Sequence, residues 1–521
     1  MLLIKEESLP AVSCNSLHER LQQINPQKAV LIFPSPYIRG RGSMFGHTLL
    51  RIDGNINSDL LSYAVNYAAM VPPSTSVLTY VYKGVSGGFK GYYSLMPYYA
   101  KIKEYNDLEQ RDIWEYQLNL DAKEVWYMVL HVMELQDIYS DYRFFGENCS
   151  FNLLFLLEAA RPSLKLTERY WNRLSFWVIP IDTIDVIQSV GLISEIDYRP
   201  ALATRINYYS SLLKPEVQKQ AFDIATQRLD PGTGDELNLP IDDRVKALNL
   251  AAQFTQYQYS RMELDQREYQ QQFLSIIKER NKLAYALEPQ DIITVPKPPN
   301  EGHLSGKVSV GVGYANDSLF TEVGYRPAYH SIDDPPVGHK SGEQLILLDV
   351  KGRYYEKNYG LKLQSFHLLD IISVTPRTMI IKPISWKFNT GLDQQILRDG
   401  EVHLVYRING GAGVSYNSEW LGLSYGMTEV DFIYSDQLHD KIDFGIGLTA
   451  GTIKQLKEWW QVNFQLRWLY YNLSENCAIY RGDLFQTFTL SRNNAIVLRA
   501  GFYGIPGHIK PEISFAWNHY F

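Results

Sequence analysis

Residues 509–521 (IKPEISFAWNHYF), the last thirteen of the chain, decide the fold. In an extended strand, alternate side chains point to opposite faces. One face then carries the apolar residues Ile509, Ile513, Phe515, Trp517 and Phe521. The other face carries the mostly polar residues Lys510, Glu512, Ser514, Asn518 and Tyr520. About ten residues with this pattern are typical of a membrane β-barrel strand, apolar toward lipid and polar toward the lumen.

The same alternation extends backward through residues 301–521. About twelve alternating segments start near residues 304, 318, 343, 359, 385, 401, 419, 441, 459, 478, 494 and 509. An even strand number is typical of bacterial barrels, so this region predicts an antiparallel transmembrane β-barrel of about 12 strands. A water-soluble β-sandwich or lipocalin-like barrel is the alternative, because alternation alone does not show which face is inside.

Two connections between these segments are longer than the periplasmic turns of a barrel should be. They are residues 331–342 and 373–384. Either the strands end elsewhere than the alternation indicates, or these loops hold the upstream part of the chain. The sequence does not choose between these explanations.

Composition excludes several classes of protein. The formal net charge is -7 and the sequence has no basic cluster, so a nucleic-acid partner is not expected. No segment reaches the roughly 18 apolar residues that a membrane-spanning helix needs. The start of the chain (MLLIKEESLPAVSC) predicts no signal peptide, because acidic residues occupy the place of the apolar core.

Upstream of the barrel, the chain divides into three further regions. Residues 1–27 form a lead-in with one short helix. Residues 28–195 mix strand and helix patterns, and residues 196–295 follow a helical period as a connector. The proline-rich stretch VPKPPN at 295–300 is the linker, because it can hold neither a helix nor a central strand.

Cys149 is the candidate nucleophile. In residues 144–157 (FFGENCSFNLLFLL), a Gly-Glu-Asn turn leads directly into an apolar helix that opens with this cysteine. The free N–H groups and the positive end of the helix dipole stabilise a thiolate there, and the thiolate is the reactive form. The alternative is a small buried hydrophobic residue, which is the role of most free cysteines.

His47 is the candidate base, at the start of a short strand. Asn66 on the neighbouring strand is expected to orient its imidazole, since Tyr63 lies on the opposite face. Four residues are candidates for an oxyanion site or for binding a lipid head group: Asn148, Arg51, Ser43 and Arg143. Arg51 is equally suited to a structural ion pair and Asn148 to a helix cap. No cofactor is expected, and no metal site, because the histidines are scattered without ligand spacing.

Two motifs carry a resemblance to a known family. They are Ser43-x-Phe45-Gly46-His47-Thr48-x-Leu50-Arg51 and, about a hundred residues later, Asn148-Cys149-Ser150. Together they resemble the periplasmic domain of the Lnb-type lipoprotein N-acyltransferases. The resemblance implies an α+β papain-like fold, a permuted relative of the NlpC/P60 thiol enzymes. It also implies Cys149 as nucleophile, His47 as base, and fatty acyl transfer to a lipoprotein amine. The acyltransferases of that family carry C-terminal membrane helices, whereas this sequence predicts a barrel.

The sequence therefore predicts a protein of the outer membrane of a Gram-negative bacterium, with residues 1–300 in the periplasm. The expected function is a cysteine acyltransferase or hydrolase that acts on lipid or lipoprotein acyl groups through an acyl-cysteine intermediate. A cell-wall peptidase or amidase with the same dyad, and a non-enzymatic barrel for transport or assembly, are the alternatives. The expected partners are outer-membrane lipid, lipoproteins or phospholipid as substrates, and the barrel-assembly machinery for insertion.

Overall fold

The computed structural model describes residues 14–36, 38, 44, 46–55, 58–171, 177–235, 239–284, 293–357 and 360–521. The first part of the chain is an α+β region. Its helices are α1 (Asn15–Ile24), α2 (Val77–Ser86), α3 (Tyr98–Ile102), α4 (Ala122–Leu135), α5 (Cys149–Ala160), α6 (Glu168–Trp171) and α7 (Pro180–Ser189). Its strands are β1 (Lys28–Pro34), β2 (Leu49–Asp53), β3 (Tyr63–Met70), β4 (Phe89–Pro97), β5 (Ile113–Leu118), β6 (Tyr139–Tyr142) and β7 (Ile193–Arg199).

These seven strands form one antiparallel sheet in the order β6-β4-β3-β2-β1-β5-β7. The central strand β1 (KAVLIFP) is buried along almost its whole length, since both faces of the sheet are covered. On one face, Leu31 and Phe33 belong to a core shared with α4, α5 and α7. On the other face, Ile32 packs with Tyr98 and Tyr105. A near-continuous apolar run is what a strand buried on both faces requires.

A helical segment follows, consisting of α8 (Leu202–Ser211), α9 (Pro215–Ala225), α10 (Ile241–Ser260) and α11 (Gln266–Lys282). The apolar stripes of these helices meet in a separate core. Ile380 and Ile381, from the loop at 374–384, are buried in that same core. None of the described helices is long and apolar enough to cross a membrane.

The C-terminal part is a closed β-barrel. Its strands are β8 (Lys307–Ala315), β9 (Ser318–Arg326), β10 (Ala328–His330), β11 (Glu343–Tyr355), β12 (Gly360–Ser373), β13 (Ser385–Ile396), β14 (Val402–Ser418), β15 (Gly422–Tyr434), β16 (Ile442–Lys457), β17 (Trp460–Tyr471), β18 (Cys477–Ser491), β19 (Asn494–Ile505) and β20 (His508–Tyr520). The short β10 continues β9 after Pro327, and both pair with β11, so they count as one strand. The last strand pairs with β8, which closes twelve antiparallel strands. The predicted barrel is confirmed.

Outward and inward side chains have opposite polarity along each barrel strand. In β16, Ile446 and Leu448 are each 55% exposed, whereas Asp443 and Thr449 are buried. The interior holds buried charged side chains from many strands, among them Arg353, Arg407, Glu429, Asp431, Asp483 and Glu512. A water-soluble barrel buries its apolar face, so this arrangement is its inverse and turns the apolar face toward lipid.

The charged side chains inside the barrel are paired around the wall. Arg353 binds Glu322 and Glu512, at 2.6 and 2.7 Å, and Glu512 also accepts from Arg499 at 2.7 Å. Each carboxylate therefore has a cationic partner on a neighbouring strand, as buried charges require. At the end far from the chain termini, buried apolar residues that include Leu438, Leu469 and Ile505 form one cluster.

The two long connections have a tertiary explanation. Both lie at the end of the barrel where Gly306 pairs with Phe521, which we call the base. The loop at 331–342 enters the lumen, where Asp333 accepts from Asn463 at 2.7 Å and its carbonyl accepts from Thr487 at 2.7 Å. The loop at 374–384 instead packs into the helical segment. The explanation that the loops hold the upstream part of the chain fits the loop at 374–384, whereas the entry of the loop at 331–342 into the lumen matches neither explanation.

The α+β region is mounted on the base of the barrel through α7. Asp182 accepts from the backbone N–H and the hydroxyl of Ser305, at 3.2 and 2.5 Å. Asp185 binds Arg492, in the turn between β18 and β19, at 2.6 Å. Tyr329 at the barrel end is buried within the core of the α+β region. Polar and apolar contacts thus join the α+β region to the base of the barrel.

Candidate active site

Cys149 opens helix α5, as the sequence indicates. The Asn148 side chain caps this helix, because its Oδ1 accepts from the backbone N–H of Phe151 at 3.1 Å. Its Nδ2 donates to the carbonyls of Phe144 and Val178, at 3.0 and 2.6 Å. The amide of Asn148 is therefore committed to holding the turn. Because of that turn, the sulfur lies at the positive end of α5, only 3% exposed.

His47 lies just before β2, and a glycine sets its position. Gly46 has φ of +85°, and a Cβ there would come within 2.9 Å of the Phe33 ring. Only glycine adopts this backbone without strain in so little space. The turn delivers the imidazole to β3, where its Nε2 lies 2.7 Å from Oδ1 of Asn66.

The hydrogen bond to Asn66 fixes which ring nitrogen faces the thiol. An amide oxygen only accepts, so the Nε2 of His47 carries the proton in this pair. Nδ1 is then the nitrogen left to exchange a proton with Cys149, with which the ring is hydrogen-bonded. The structure therefore brings Cys149, His47 and Asn66 together in the order of nucleophile, base and orienting residue.

The site shifts the pKa of both reacting groups. Burial alone raises the pKa of the Cys149 thiol, but the charge of His47, its hydrogen bond and the Thr48 backbone N–H together lower it to about 6. Burial lowers the pKa of His47, yet the charge and hydrogen bond of Cys149 and the bond to Asn66 raise it above 6.5. The two shifts favour a thiolate beside an imidazolium near neutral pH.

Tyr142, at the end of β6, is a site residue that the sequence analysis missed. Its hydroxyl accepts from the backbone N–H of Cys149 at 3.4 Å. Burial and the neighbouring Cys149 hold the pKa of Tyr142 well above its ordinary value, so the phenol keeps its proton. The phenol lies beside the sulfur, where it can donate to an oxygen of a bound substrate. Only its position seven residues before Cys149 could have suggested this role.

The thiol opens into a cavity of about 390 Å³. Nine of its fourteen lining residues are alanine, valine, proline, phenylalanine or tyrosine, namely Ala68, Ala69, Val71, Pro72, Pro73, Tyr80, Tyr142, Phe144 and Pro180, and the others are Gly46, His47, Thr75, Asn148 and Cys149. Among these described residues there is no charged carboxylate, lysine or arginine. The wall thus suits an uncharged, apolar group beside the sulfur.

Helix α2 covers one side of this cavity. Gly84 of α2 lies against Phe144, and a Cβ at this position would come within 2.1 Å of the ring. The aromatic ring of Tyr80 packs on the same phenylalanine, with centroids 5.0 Å apart. The glycine therefore allows the helix to approach the turn that carries Cys149.

Two of the other predicted site residues, Arg51 and Arg143, do not line the cavity. Arg51 is buried in an ion-pair cluster with Asp53 at 2.8 Å and with Glu115, an arrangement that favours its structural alternative over the expected binding role. Arg143 is exposed and its side chain packs against Gly87. Its expected role in oxyanion or head-group binding has no support in this arrangement. Ser43 lies outside the described residues.

Known families match three successive stretches of the chain. A model described as the Lnb N-terminal periplasmic domain matches residues 17–190. Models of two domains of unknown function, DUF7842 and DUF7840, match residues 196–291 and 296–520. None of the curated proteins matches this sequence.

Solved porin structures are similar to this chain at very low sequence identity. The KdgM porin is 7% identical, with a TM-score of 0.25, over 41% of this chain and 99% of that chain. The NanC porin is 5% identical, with a TM-score of 0.27, over 42% and 100%. OmpT, an outer membrane protein of Vibrio cholerae, is 7% identical, with a TM-score of 0.22, over 42% and 98%. At these values the similarities carry no conclusion about activity.

The closed barrel with its apolar outer face and the periplasmic description of the N-terminal family fix the location. The chain is an outer-membrane β-barrel protein with a periplasmic N-terminal region. The base of the barrel therefore faces the periplasm. This location agrees with the sequence prediction.

Proposed function

We propose that this protein is a cysteine-dependent acyltransferase or hydrolase that acts on lipid or lipoprotein acyl groups at the periplasmic side of the outer membrane. The observation that carries the proposal is the alignment of Cys149, His47 and Asn66, with Cys149 and His47 lining a cavity that has many apolar side chains. A nucleophile paired with a base, which is itself oriented by a third group, is the arrangement of covalent acyl transfer.

In the first half-reaction, the Cys149 thiolate attacks the carbonyl carbon of an ester. A carbon–sulfur bond forms, and the carbonyl oxygen takes up the electron pair of its π bond. The Tyr142 phenol donates a hydrogen bond to that oxyanion. When the tetrahedral intermediate collapses, the ester carbon–oxygen bond breaks and His47 gives its Nδ1 proton to the leaving alkoxide. The products are an acyl-cysteine thioester and an alcohol.

In the second half-reaction, an acceptor attacks the thioester. Neutral His47 removes a proton from an amine, a hydroxyl or water as the acceptor bonds to the acyl carbon. The carbon–sulfur bond then breaks, and the thiolate is restored beside the imidazolium. An amine gives an amide and water gives a free fatty acid, so the same residues serve a transferase and a hydrolase.

The cavity wall supports an acyl chain as the bound group. Burying methylene groups against Ala68, Val71 and Pro180 contributes about 0.8 kcal/mol for each group removed from water. A peptidoglycan stem carries carboxylates, and the described wall offers no lysine or arginine to pair with them, while the charge of His47 is already balanced by the Cys149 thiolate. The apolar wall therefore favours a lipid acyl group over a cell-wall peptide. A permuted papain-like relationship, with the histidine preceding the cysteine in the chain, is part of this proposal.

The experiment uses the full chain folded into vesicles of outer-membrane phospholipid, with a synthetic lipoprotein amine as acceptor. Mass spectrometry should detect an acyl group on Cys149, released by hydroxylamine as a thioester requires. Cys149→Ala should abolish both the adduct and the acylated product. Its barrel should still migrate as a folded species in an unheated gel. Unchanged lipid or lipoprotein acylation in Cys149→Ala would overturn the proposal.

The cell-wall alternative has a direct test. Purified muropeptides incubated with the same vesicles should stay uncleaved if the enzyme acts on acyl groups. If the muropeptides are cleaved and Cys149→Ala loses this cleavage, the substrate is a cell-wall peptide and Cys149 is still the nucleophile. Phospholipid and muropeptide arms in one assay therefore distinguish the substrates.

The closed barrel with its charged wall favours a second candidate function, which is passage of small polar solutes. The loop at 331–342 enters the lumen, and an apolar cluster that includes Leu438 lies at the opposite end. Passage would require one or both obstructions to move. Conductance across a planar bilayer tests this function, and a variant that lacks residues 333–340 should conduct more if the loop is the barrier. Conductance by the intact protein together with an inactive thiol would favour transport.

A further inference from the structure

Three histidines that are scattered in the sequence meet at the base of the barrel. His303 precedes β8, His330 ends β10, and His339 lies in the loop at 331–342. One ring nitrogen from each lies within 4.8 Å of the other two. His330 and His339 stack with centroids 3.9 Å apart, and His303 lies 4.6 Å from His339. The spacing of these residues gave no ligand pattern, because the fold alone brings them together.

The hydrogen bonds assign the nitrogen atoms. His303 Nδ1 lies 2.7 Å from the carbonyl oxygen of Leu304, which only accepts, so Nδ1 carries the proton and Nε2 carries a lone pair. That Nε2 is 2.9 Å from Nδ1 of His330. A carbonyl that fixes the tautomer in this way is the usual support of a metal-binding histidine.

The third nitrogen has no partner within the described part of the chain. Nε2 of His339 is inaccessible to solvent and makes no hydrogen bond there. A buried polar atom left without a partner is destabilising, so its presence calls for an explanation. His303 and His330 are themselves buried, 3% and 6% exposed. A ligand at the centre of the three rings would satisfy the unpartnered nitrogen.

We propose that His303, His330 and His339 bind a divalent transition-metal ion, with zinc as the reference metal. Neutral imidazole suits zinc, copper and nickel, whereas magnesium and calcium require oxygen ligands. Three nitrogen ligands leave one tetrahedral position, which water would fill. For the three nitrogens to share one ion, the 2.9 Å contact would open by a few tenths of an ångström, and the stacked rings of His330 and His339 would rotate so that both lone pairs meet at the ion.

The nearest carboxylate supports the site without being a ligand. Asp334 accepts from Arg326 at 2.6 Å, from the backbone N–H of Ser331 at 2.8 Å and from the Tyr520 hydroxyl at 2.9 Å. These donors hold the carboxylate in place. Its negative charge offsets part of the positive charge of Arg326 and Lys307, which would otherwise repel a cation.

The positions of the three ligands suggest a structural role. They come from the segment that enters the barrel, from the end of β10 and from the loop that enters the lumen. A metal ion there would fasten that loop to the base, directly below the attachment of the periplasmic region. Metal binding would then stabilise the folded state in proportion to the logarithm of free metal concentration.

The test uses the full chain in detergent micelles after treatment with EDTA and removal of the chelator. Co²⁺ and Zn²⁺ are added separately, and bound metal is counted by elemental analysis and by the visible spectrum of tetrahedral Co²⁺. The expected result is about one tightly bound ion for each chain, with a higher thermal midpoint in Zn²⁺. His339→Ala should weaken binding at least about tenfold, by analogy with lost metal-site residues. His439→Ala is the matched control, because His439 is exposed and distant in sequence from the cluster.

Two results would overturn the proposal. One is that the EDTA-treated native chain takes up no Co²⁺ or Zn²⁺, a result that needs no variant. The other is that His339→Ala, shown to be folded by its migration in an unheated gel, binds metal as tightly as His439→Ala. Neither measurement depends on acyltransferase activity, so failure of the metal site and failure of the proposed function are distinguishable.

Discussion

Asn66→Ala tests whether the asparagine lowers the pKa of the Cys149 thiol by its hydrogen bond to the His47 imidazole. The 2.7 Å bond from His47 Nε2 to Asn66 becomes charge-assisted when the ring is protonated. Such a bond contributes about 1.5–3 kcal/mol. At 1.36 kcal/mol for each pKa unit, its loss should raise the pKa of Cys149 by about one to two units. From a starting value of about 6, the new value lies near 7 to 8.

The assay is the rate of iodoacetamide alkylation between pH 5 and 9, read by intact mass. The background carries Cys14→Ser and Cys477→Ser, so that Cys149 is the only thiol. Because the thiolate fraction at pH 7 falls from about 90% to between about 50% and 10%, alkylation should slow about two- to tenfold. Tyr63→Phe is the control, because Tyr63 shares β3 with Asn66 but lies on its other face.

Two results would refute this reasoning. The first is an alkylation midpoint for the native thiol near that of an ordinary cysteine, which would mean that His47 does not stabilise the thiolate. The second is that the alkylation midpoint is unchanged in Asn66→Ala but raised in His47→Ala. The imidazole would then lower the pKa of Cys149 without help from Asn66. In the native protein, alkylation should rise as pH passes through about 6, because the thiol loses its proton there.

Three further predictions concern the rest of the molecule. Leu448→Arg on the lipid face should cost about 2–4 kcal/mol of barrel stability, measured by urea unfolding in vesicles, whereas Leu274→Arg on α11 should be near neutral because that side chain already faces water. Gly84→Ala should force α2 away from the turn below it and cost about 1–3 kcal/mol by thermal unfolding, whereas Gly146→Ala has room for its methyl group. Asp182→Ala should leave the Ser305 donors unpaired, at about 1–3 kcal/mol, and should expose the segment at 293–299 to proteases without altering alkylation of the thiol.

The barrel could be predicted because each strand carries its own signal. Alternation in β16 or β20 depends only on which face meets lipid, and the predicted strand starts lie within about three residues of those observed. β10 was missed, because three residues after Pro327, buried on both faces, carry no period. The paths of the long loops could not be predicted, since they depend on contacts such as the one from Asn463 to Asp333 across 130 residues.

In the candidate site too, local features could be predicted from the sequence and long-range contacts could not. The cap at Asn148 and the helix that follows are local, so the position of Cys149 could be deduced from the turn. The pairing of β2 with β3 brings His47 to Asn66, and adjacent strands in sequence commonly pair. The role of Arg51 required the distant Glu115, which reaches β2 across β1 from β5. The sequence therefore left its two readings open.

Helix α7 links the candidate chemistry to the membrane. Its first residue, Pro180, lines the thiol cavity, and Asp182 and Asp185 on the same helix bind the base of the barrel. A ten-residue helix is about 15 Å long, so the cavity and the barrel contacts lie within that distance. The buried contact of Asp182 with Ser305 therefore ties α7 to the barrel close to the cavity. For the proposed acyl transfer, a substrate would have to reach the cavity near the base of the barrel, so selection would depend on reach as well as on chemistry.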